Sequence, residues 1–305
     1  MTRSPDRLAL LETFARIVDA GGIGAAARDL GLSQPTASRR LAELEARLGA
    51  TLVRRTTHEL VPTEAGWAAL ADARALLAGW EAMAERHADD AQRLRGPLRV
   101  VAPVALGQTL LGDIARRFQA DHPDVALGWE LEDRAIRFAA NGCDLWIRVG
   151  EVPDETLVVR ELATVERLLT CAPGYLEAAG APGTPEALEG LALLALEPFE
   201  GRAVPLERAD GRRVTVRPTV RMSTNNVVAL RDAALAGLGL AVLPRWFVAR
   251  ALAGGDLVEA LPGWRAPRLA VSVAHASGDL RPRRVRAFVD RLVSELPASL
   301  DGVRA

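Results

Sequence analysis

Apolar residues in the first fifty positions recur every three or four residues, in three separate runs. Leu8, Leu11, Ala15 and Val18 define a first helix. Ser4 and Pro5 stand before it as cap and first-turn residue, and Gly21-Gly22 stops it. A shorter helix covers about residues 25–30, after which Gly31 can turn left-handed. Ser33 caps a third helix, in which Ala37, Leu41, Leu44 and Leu48 share one face until Gly49 ends it. Over 50–63, ATLVRRTTHELVPT, the period shortens to two, predicting a hairpin around Arg54, Arg55, Thr56 and Thr57. Thr63 then caps helical composition that runs to Arg95, where Gly96-Pro97 closes it. That is ~50 Å of helix at about 1.5 Å per residue. Leu70, Ala73, Leu77, Trp80, Ala84, Ala91 and Leu94 fit a heptad seam interrupted at His87. Such a seam predicts pairing with a second chain; the alternative is packing against the chain's own domain.

From Pro97 onward, strand-like runs alternate with helical ones. LRVVAPV, VALGWEL, DLWIRVG, LLTCA, LALLAL, RRVTVRP, GLAVLP and LAVSVAHA read as strands. A helix is expected near 225–237 and another from about Arg281. This alternation predicts an α/β domain with parallel sheets, whose ligands bind at the carboxyl ends of strands.

Composition narrows the classes. At 305 residues with 49% apolar content, the chain can bury more than one core and is neither disordered nor collagenous. A formal net charge of -1 excludes a basic nucleic-acid binder as a whole, but not a basic patch. From Arg28 to His58 six arginines face three acids, a local excess of +3. There is no lysine, so all 38 basic residues are arginine. The N-terminus carries no secretory pattern and no apolar run approaches the ~20 residues of a bilayer span, so the chain is expected in the cytoplasm. Cys143 and Cys171 are far apart and read as buried hydrophobes.

The third helix begins SQPTASRR, a polar stretch without an acid. A short helix, a glycine turn and a helix with an Arg/Gln/Ser face make a helix-turn-helix whose second helix fits a DNA major groove. Candidate DNA contacts are Ser33, Gln34, Pro35, Thr36, Ser38, Arg39 and Arg40. Arg54, Arg55 and Thr56 of the hairpin, read as a wing, would reach phosphates. Catalytic signatures are missing. There is no GxSxG, P-loop or GxGxxG after a strand, and His58, His87, His122 and His275 are too scattered to hold a metal.

AAARDLGLSQPTASRRLAELEARLGATLVRRTTHELVPTEAG resembles the winged helix-turn-helix of LysR-type transcriptional regulators over residues 7–66. Where that family usually has Ser, an aromatic and Ser/Thr, this chain has Gly22, Ile23 and Gly24. DLWIRVG, PDETLVVREL and AGLGLAVLP resemble the family's effector-binding domain, which is similar to two-lobed periplasmic solute-binding proteins. The resemblance implies an all-α winged helix-turn-helix (1–62), a linker and dimerisation helix (63–95) and a two-lobed α/β effector domain (97–300). Lobe one would be 97–162 with 268–300, and lobe two 163–267. It implies a homodimer, or a dimer of dimers, on a dyad operator in double-stranded DNA. It also implies a small-molecule effector, no cofactor, no metal, no membrane, and RNA polymerase as a partner of an activating complex. Carried across by position, the effector cleft would use Pro103, Val104, Ala105, Asp133, Arg134, Arg148, Val149, Gly150, Glu197, Asn225, Asn226 and Leu243. Arg148 is either an anion anchor or the partner of Asp133, Glu130 or Glu132 in an ion pair. Asn225 and Asn226 are either ligand contacts or helix caps. Trp146 is either core or a stacking surface. An anion anchor with apolar neighbours points to an organic anion with an apolar body.

Overall fold

The computed structural model describes residues 6–55, 60–87, 93–200, 203–276 and 282–302. The helical spacing of the first fifty residues gives α1 (Arg7–Asp19), α2 (Ile23–Asp29) and α3 (Gln34–Leu48). Asp6 caps α1, its carboxylate accepting from the Leu8 N–H at 3.3 Å; Ser4 and Pro5, expected in that role, lie outside the described residues. Phe14, Ile17, Ala26, Ala37, Leu41 and Leu44 meet in one core. The hairpin forms as β1 (Val53–Arg55) and β2 (Leu60–Pro62), with Arg54 opposite Val61. It is tied down from both sides. Glu45 of α3 accepts from the Leu52 N–H at 2.7 Å, and the Thr63 hydroxyl donates to the Thr51 carbonyl at 2.7 Å.

Thr63 caps α4 (Glu64–Arg86), accepting from the Gly66 N–H at 2.9 Å. A Cβ at Gly66 would lie 1.9 Å from the Leu52 carbonyl oxygen, so the approach of α4 to the hairpin requires glycine. The helix has 23 residues, about 35 Å at the standard rise. The expected continuation to Arg95 is not seen: His87 caps the helix, and Gly96-Pro97 begins a strand that pairs with Val125 and Ala126. Seven residue pairs of parallel ladder over Gly96–Ala102 outweigh a helix end that glycine and proline would terminate anyway.

The α/β region begins with β3 (Gly96–Ala102), α5 (Val104–Gln108), α6 (Leu110–Asp121), β4 (Val125–Leu131), α7 (Phe138–Asn141) and β5 (Leu145–Val149). Next come β6 (Leu157–Cys171), α8 (Pro173–Ala178), β7 (Ala192–Leu196), β8 (Val204–Arg208), β9 (Arg213–Val216), β10 (Thr219–Thr224) and α9 (Val227–Leu235). It closes with β11 (Leu240–Pro244), α10 (Arg245–Gly254), β12 (Val258–Glu259), β13 (Trp264–Ala276) and α11 (Arg283–Gly302). The strand order is β10-β7-β11-β6-β13-β5-β3-β4. The sheets are mixed rather than parallel. β3 pairs in parallel with β4 and β5, and β7 with β10 and β11, but β13 runs antiparallel to both β5 and β6. One core lies under β3–β5 with Phe118, Phe288 and Leu292; others lie around β7 and β11 with Leu188, Leu193, Leu240 and Leu230. The long strands β6 and β13 pass from one lobe to the other side by side, with a register shift between Ala266 and Leu269, where Pro267 lies.

Candidate functional site

Two surfaces gather the candidate residues. The first is the N-terminal half of α3. Ser33 Oγ accepts from the Thr36 N–H at 3.3 Å and lies 2.8 Å from the Thr36 hydroxyl. With Pro35 in the first turn, the helix start is fixed without any acidic residue. Ala37, Leu41 and Leu44 point inward, which leaves Ser33, Gln34, Pro35 and Arg39 exposed, with Thr36 and Ser38 half-buried. Arg40 is turned the other way: a guanidinium N–H donates to the buried Thr13 hydroxyl of α1 at 3.1 Å. Arg40 therefore holds α3 against α1, a geometry unlike the groove contact expected of it. Arg54 is exposed on β1. Thr56 and the side chain of Arg55 lie outside the described residues. At Gly24 the glutamine of α3 takes up the space, its Oε1 3.5 Å from where a Cβ would be.

The second surface is a cleft of about 80 Å³ between the lobes. Of the residues carried to it by position, Pro103, Ala105, Asp133, Arg148, Val149, Glu197 and Asn225 line it. The remaining five do not. Val104 contributes its backbone N–H, which donates to Asp133 at 2.9 Å. Arg134 is exposed, its own N–H on Glu132. Leu243 is fully buried with Leu194 and Val248; strand alternation turns its neighbours Val242 and Pro244 to the cleft instead. Gly150, at φ +83°, is packed against Phe199, whose ring carbon would lie 2.8 Å from an added Cβ. Asn226 caps α9 by accepting from Val228 and Ala229, and its amide donates to Asp133 across the lobes at 2.8 Å. Capping and bridging are thus one residue's work.

Asp133 therefore faces N–H donors. Burial pushes its carboxyl above the usual range, against the pull of the Val104 and Asn226 N–H groups. The ion pair considered for Arg148 does not form: among the described residues no carboxylate lies within pairing distance of it. Its Nε donates to the Glu151 carbonyl at 2.6 Å and its guanidinium lies 5.3 Å from the Trp146 ring centre. Half-burial lowers its pKa. Trp146 itself is buried among Val101, Phe138, Cys143 and Ala274, so it is core that also backs the cleft.

The cleft has members that sequence reading passed over. Phe199 and Trp246 bring aromatic surface, and Arg167 brings a second guanidinium. Arg167 is almost wholly buried. It pairs with Glu200 at 2.7 Å and donates to the Pro267 carbonyl at 2.9 Å, joining β6 to the crossing in β13. Burial pushes the Glu200 carboxyl up to about 7, opposed by Arg167 and the Leu196 N–H. An Arg just ahead of the predicted strand LLTCA and a Glu in a turn give no signal by spacing. Cys143 and Cys171 are free and buried, and burial raises their thiols to about 12 and about 11, so both are inert at neutral pH. Among the described residues there is no group of three His, Cys, Asp or Glu that would hold a metal, and no helix long and apolar enough to cross a membrane.

The heptad seam divides between two cores and the surface. Leu70, Ala73 and Leu77 enter the core of the N-terminal domain, and Leu94 enters the core under β3; Ala91 lies outside the described residues. Trp80 and Ala84 of the seam stay exposed, and Trp80 forms a surface stripe with Leu76 and Met83, which are not seam positions; the three are exposed by 52%, 59% and 37%.

Comparison with known proteins identifies the two domains that carry these surfaces. Residues 8–67 match the bacterial regulatory helix-turn-helix proteins of the lysR family, and residues 91–297 match the LysR substrate binding domain. An HTH-type transcriptional regulator of Xanthomonas campestris is 32% identical over 96% of this chain and 86% of its own. The full-length Vibrio cholerae virulence activator AphB is 25% identical with a TM-score of 0.60, over 94% of this chain and 99% of that one. Full-length LysG of Corynebacterium glutamicum, solved with bound effector Arg, shares the fold at a TM-score of 0.66 and 20% identity, over 97% of this chain and 99% of its own.

Proposed function

The chain belongs to the LysR family of transcriptional regulators, and we propose that its cleft senses a small organic anion with an apolar body. It is a DNA-binding regulator with an effector-binding domain, not an enzyme. The observation that carries the finer reading is Arg148: a half-buried guanidinium in an apolar cleft, fixed by Glu151 and Trp146, with no carboxylate partner among the described residues. A planar guanidinium can hold a carboxylate through two parallel N–H bonds. Glu132, Asp133 and Glu197 also line the cleft; the first two accept hydrogen bonds from within the protein, and Glu197 is exposed to solvent.

At the other end, exposed Gln34 and Arg39 read base edges while Ser33 and Arg54 meet phosphates. The stripe Leu76, Trp80 and Met83 pairs with the same stripe of a second copy, giving a homodimer on a dyad operator. Two dimers form a homotetramer in which lobe movement alters the angle between reading heads. At activated promoters that movement changes contact with RNA polymerase. The work takes place in the cytoplasm, with the DNA. The test is a gel shift with genomic DNA fragments, followed by calorimetric titration of carboxylates into wild type and Arg148→Ala. An arginine bond to a charged ligand is worth about 1.5–3 kcal/mol, so the variant should lose roughly 10–150-fold in affinity. Operator binding without ligand should not change. Equal affinities in the two proteins would refute the anion site.

A further inference from the structure

Trp246 stands at the start of α10, directly after β11, with one face on the cleft. Its ring packs on Phe247, with centroids 5.3 Å apart, and against the lobe-one core. Its indole Nε1 is buried, and no acceptor among the described residues reaches it. A buried donor without an acceptor is costly, and folded proteins rarely leave one unmet. The surrounding wall offers mostly carbon: Pro103, Leu106, Val165, Val242 and Leu269.

We propose that the Trp246 N–H is a ligand-binding donor, and that the effector carries a neutral hydrogen-bond acceptor in addition to its anionic group. This rests on the cleft reading above and adds to it. Arg148 selects the charge, and Trp246 selects a carbonyl, ether or hydroxyl oxygen on the apolar body. The cleft's size limits that body. At about 80 Å³, it has several times the roughly 10–15 Å³ that one water requires. A carboxylate of a few carbons with one internal oxygen meets all three conditions.

Two probes separate the contributions, 4-oxopentanoate and 4-methylpentanoate. They have the same number of heavy atoms and the same carboxylate, but only the first has a carbonyl acceptor. Calorimetric Kd values for both are measured on wild type, Trp246→Phe and Arg148→Ala. Trp246→Met is the second variant should the phenylalanine one not fold, since methionine fills irregular space without a donor. In Trp246→Phe the preference for the oxo probe, relative to wild type, should fall by roughly 2- to 12-fold, the size of one neutral hydrogen bond. Arg148→Ala should weaken both probes alike and leave the preference intact. If removing the indole N–H leaves the preference unchanged, the inference fails while the anion site stands. That is the result expected if the N–H instead serves the small notch on its other side, beside Glu166 and Arg245. If Arg148→Ala binds both probes as wild type does, the anion site fails. Binding of neither probe to wild type at millimolar concentration would overturn both.

Discussion

Single side chains carry most of the chemistry, and their exposure separates reading from holding. Arg39 is exposed on α3, whereas its neighbour Arg40 is bound to Thr13. Arg39→Ala should therefore weaken operator binding by about 1–3 kcal/mol and random DNA far less. Arg54→Ala should weaken both nearly equally and flatten the salt dependence, as loss of a phosphate contact does. Competition gel shifts over a salt series measure the difference; equal losses for Arg39→Ala on both DNAs would reject base reading. The Arg167–Glu200 pair gives a pH prediction. Glu200 has a folded pKa of about 7, above its ordinary 4.5, chiefly through burial. The folded chain thus holds that proton more tightly. The resulting stabilisation is complete below about pH 4.5 and is lost as pH rises to about 7. The melting temperature of wild type relative to Glu200→Gln should fall steadily over that window. A flat difference would show that Glu200 does not titrate there. These two residues were illegible in the sequence because their partners are 33 positions apart and meet only through the fold.

Helices, strands and caps were far more legible than the partners they meet. Ser33, Gly49 and Thr63 act at their helix ends because capping is local chemistry that spacing reveals. The partner of the α4 seam is less legible for the opposite reason. A repeat of three and four states only that one helix face is apolar, and the N-terminal core took Leu70, Ala73 and Leu77. Likewise the sequence shows β6 only from Leu168, although its fifteen residues begin at Leu157, because Leu157-Val158-Val159-Arg160-Glu161 has no period of two and is largely exposed. The exposed stripe on α4 follows from the packing of the other face. Trp80 is at its centre, so Trp80→Glu should convert the proposed dimer to monomers while leaving the helical circular dichroism unchanged. Operator affinity should then drop sharply, because one reading head meets only a half-site. Sedimentation that still shows a dimer would move the interface elsewhere.

In the whole molecule, α4 is gripped at both ends, and that decides how cleft and reading head can communicate. Its first half is part of the N-terminal core. Its second half is held by Arg284 of α11, a buried guanidinium that pairs with Glu81 at 2.6 Å and Glu85 at 3.3 Å and donates to the Pro97 carbonyl. Asp19, at the end of α1, adds a direct bridge: it accepts from Arg74 of α4 and, at 2.7 Å, from Arg99 of β3. Lobe one, α4 and the N-terminal domain are therefore joined, whereas among the described residues lobe two reaches them through β6, β13 and contacts such as Asp133–Asn226 and Trp246 on the lobe-one core. Closure of the cleft would then move lobe two against a unit that includes the reading head. Partly exposed pairs like those of Asp19 contribute little singly, but the buried Arg284 cluster should be costly to break from one side. Paired spin labels on α2 and α6 should give one narrow distance distribution in wild type. Asp19→Asn should broaden it slightly and Arg284→Met strongly. If Arg284→Met leaves the distribution narrow while the protein stays folded, the grip lies in apolar contacts of α4 and α7, and the charge cluster plays no part in the coupling.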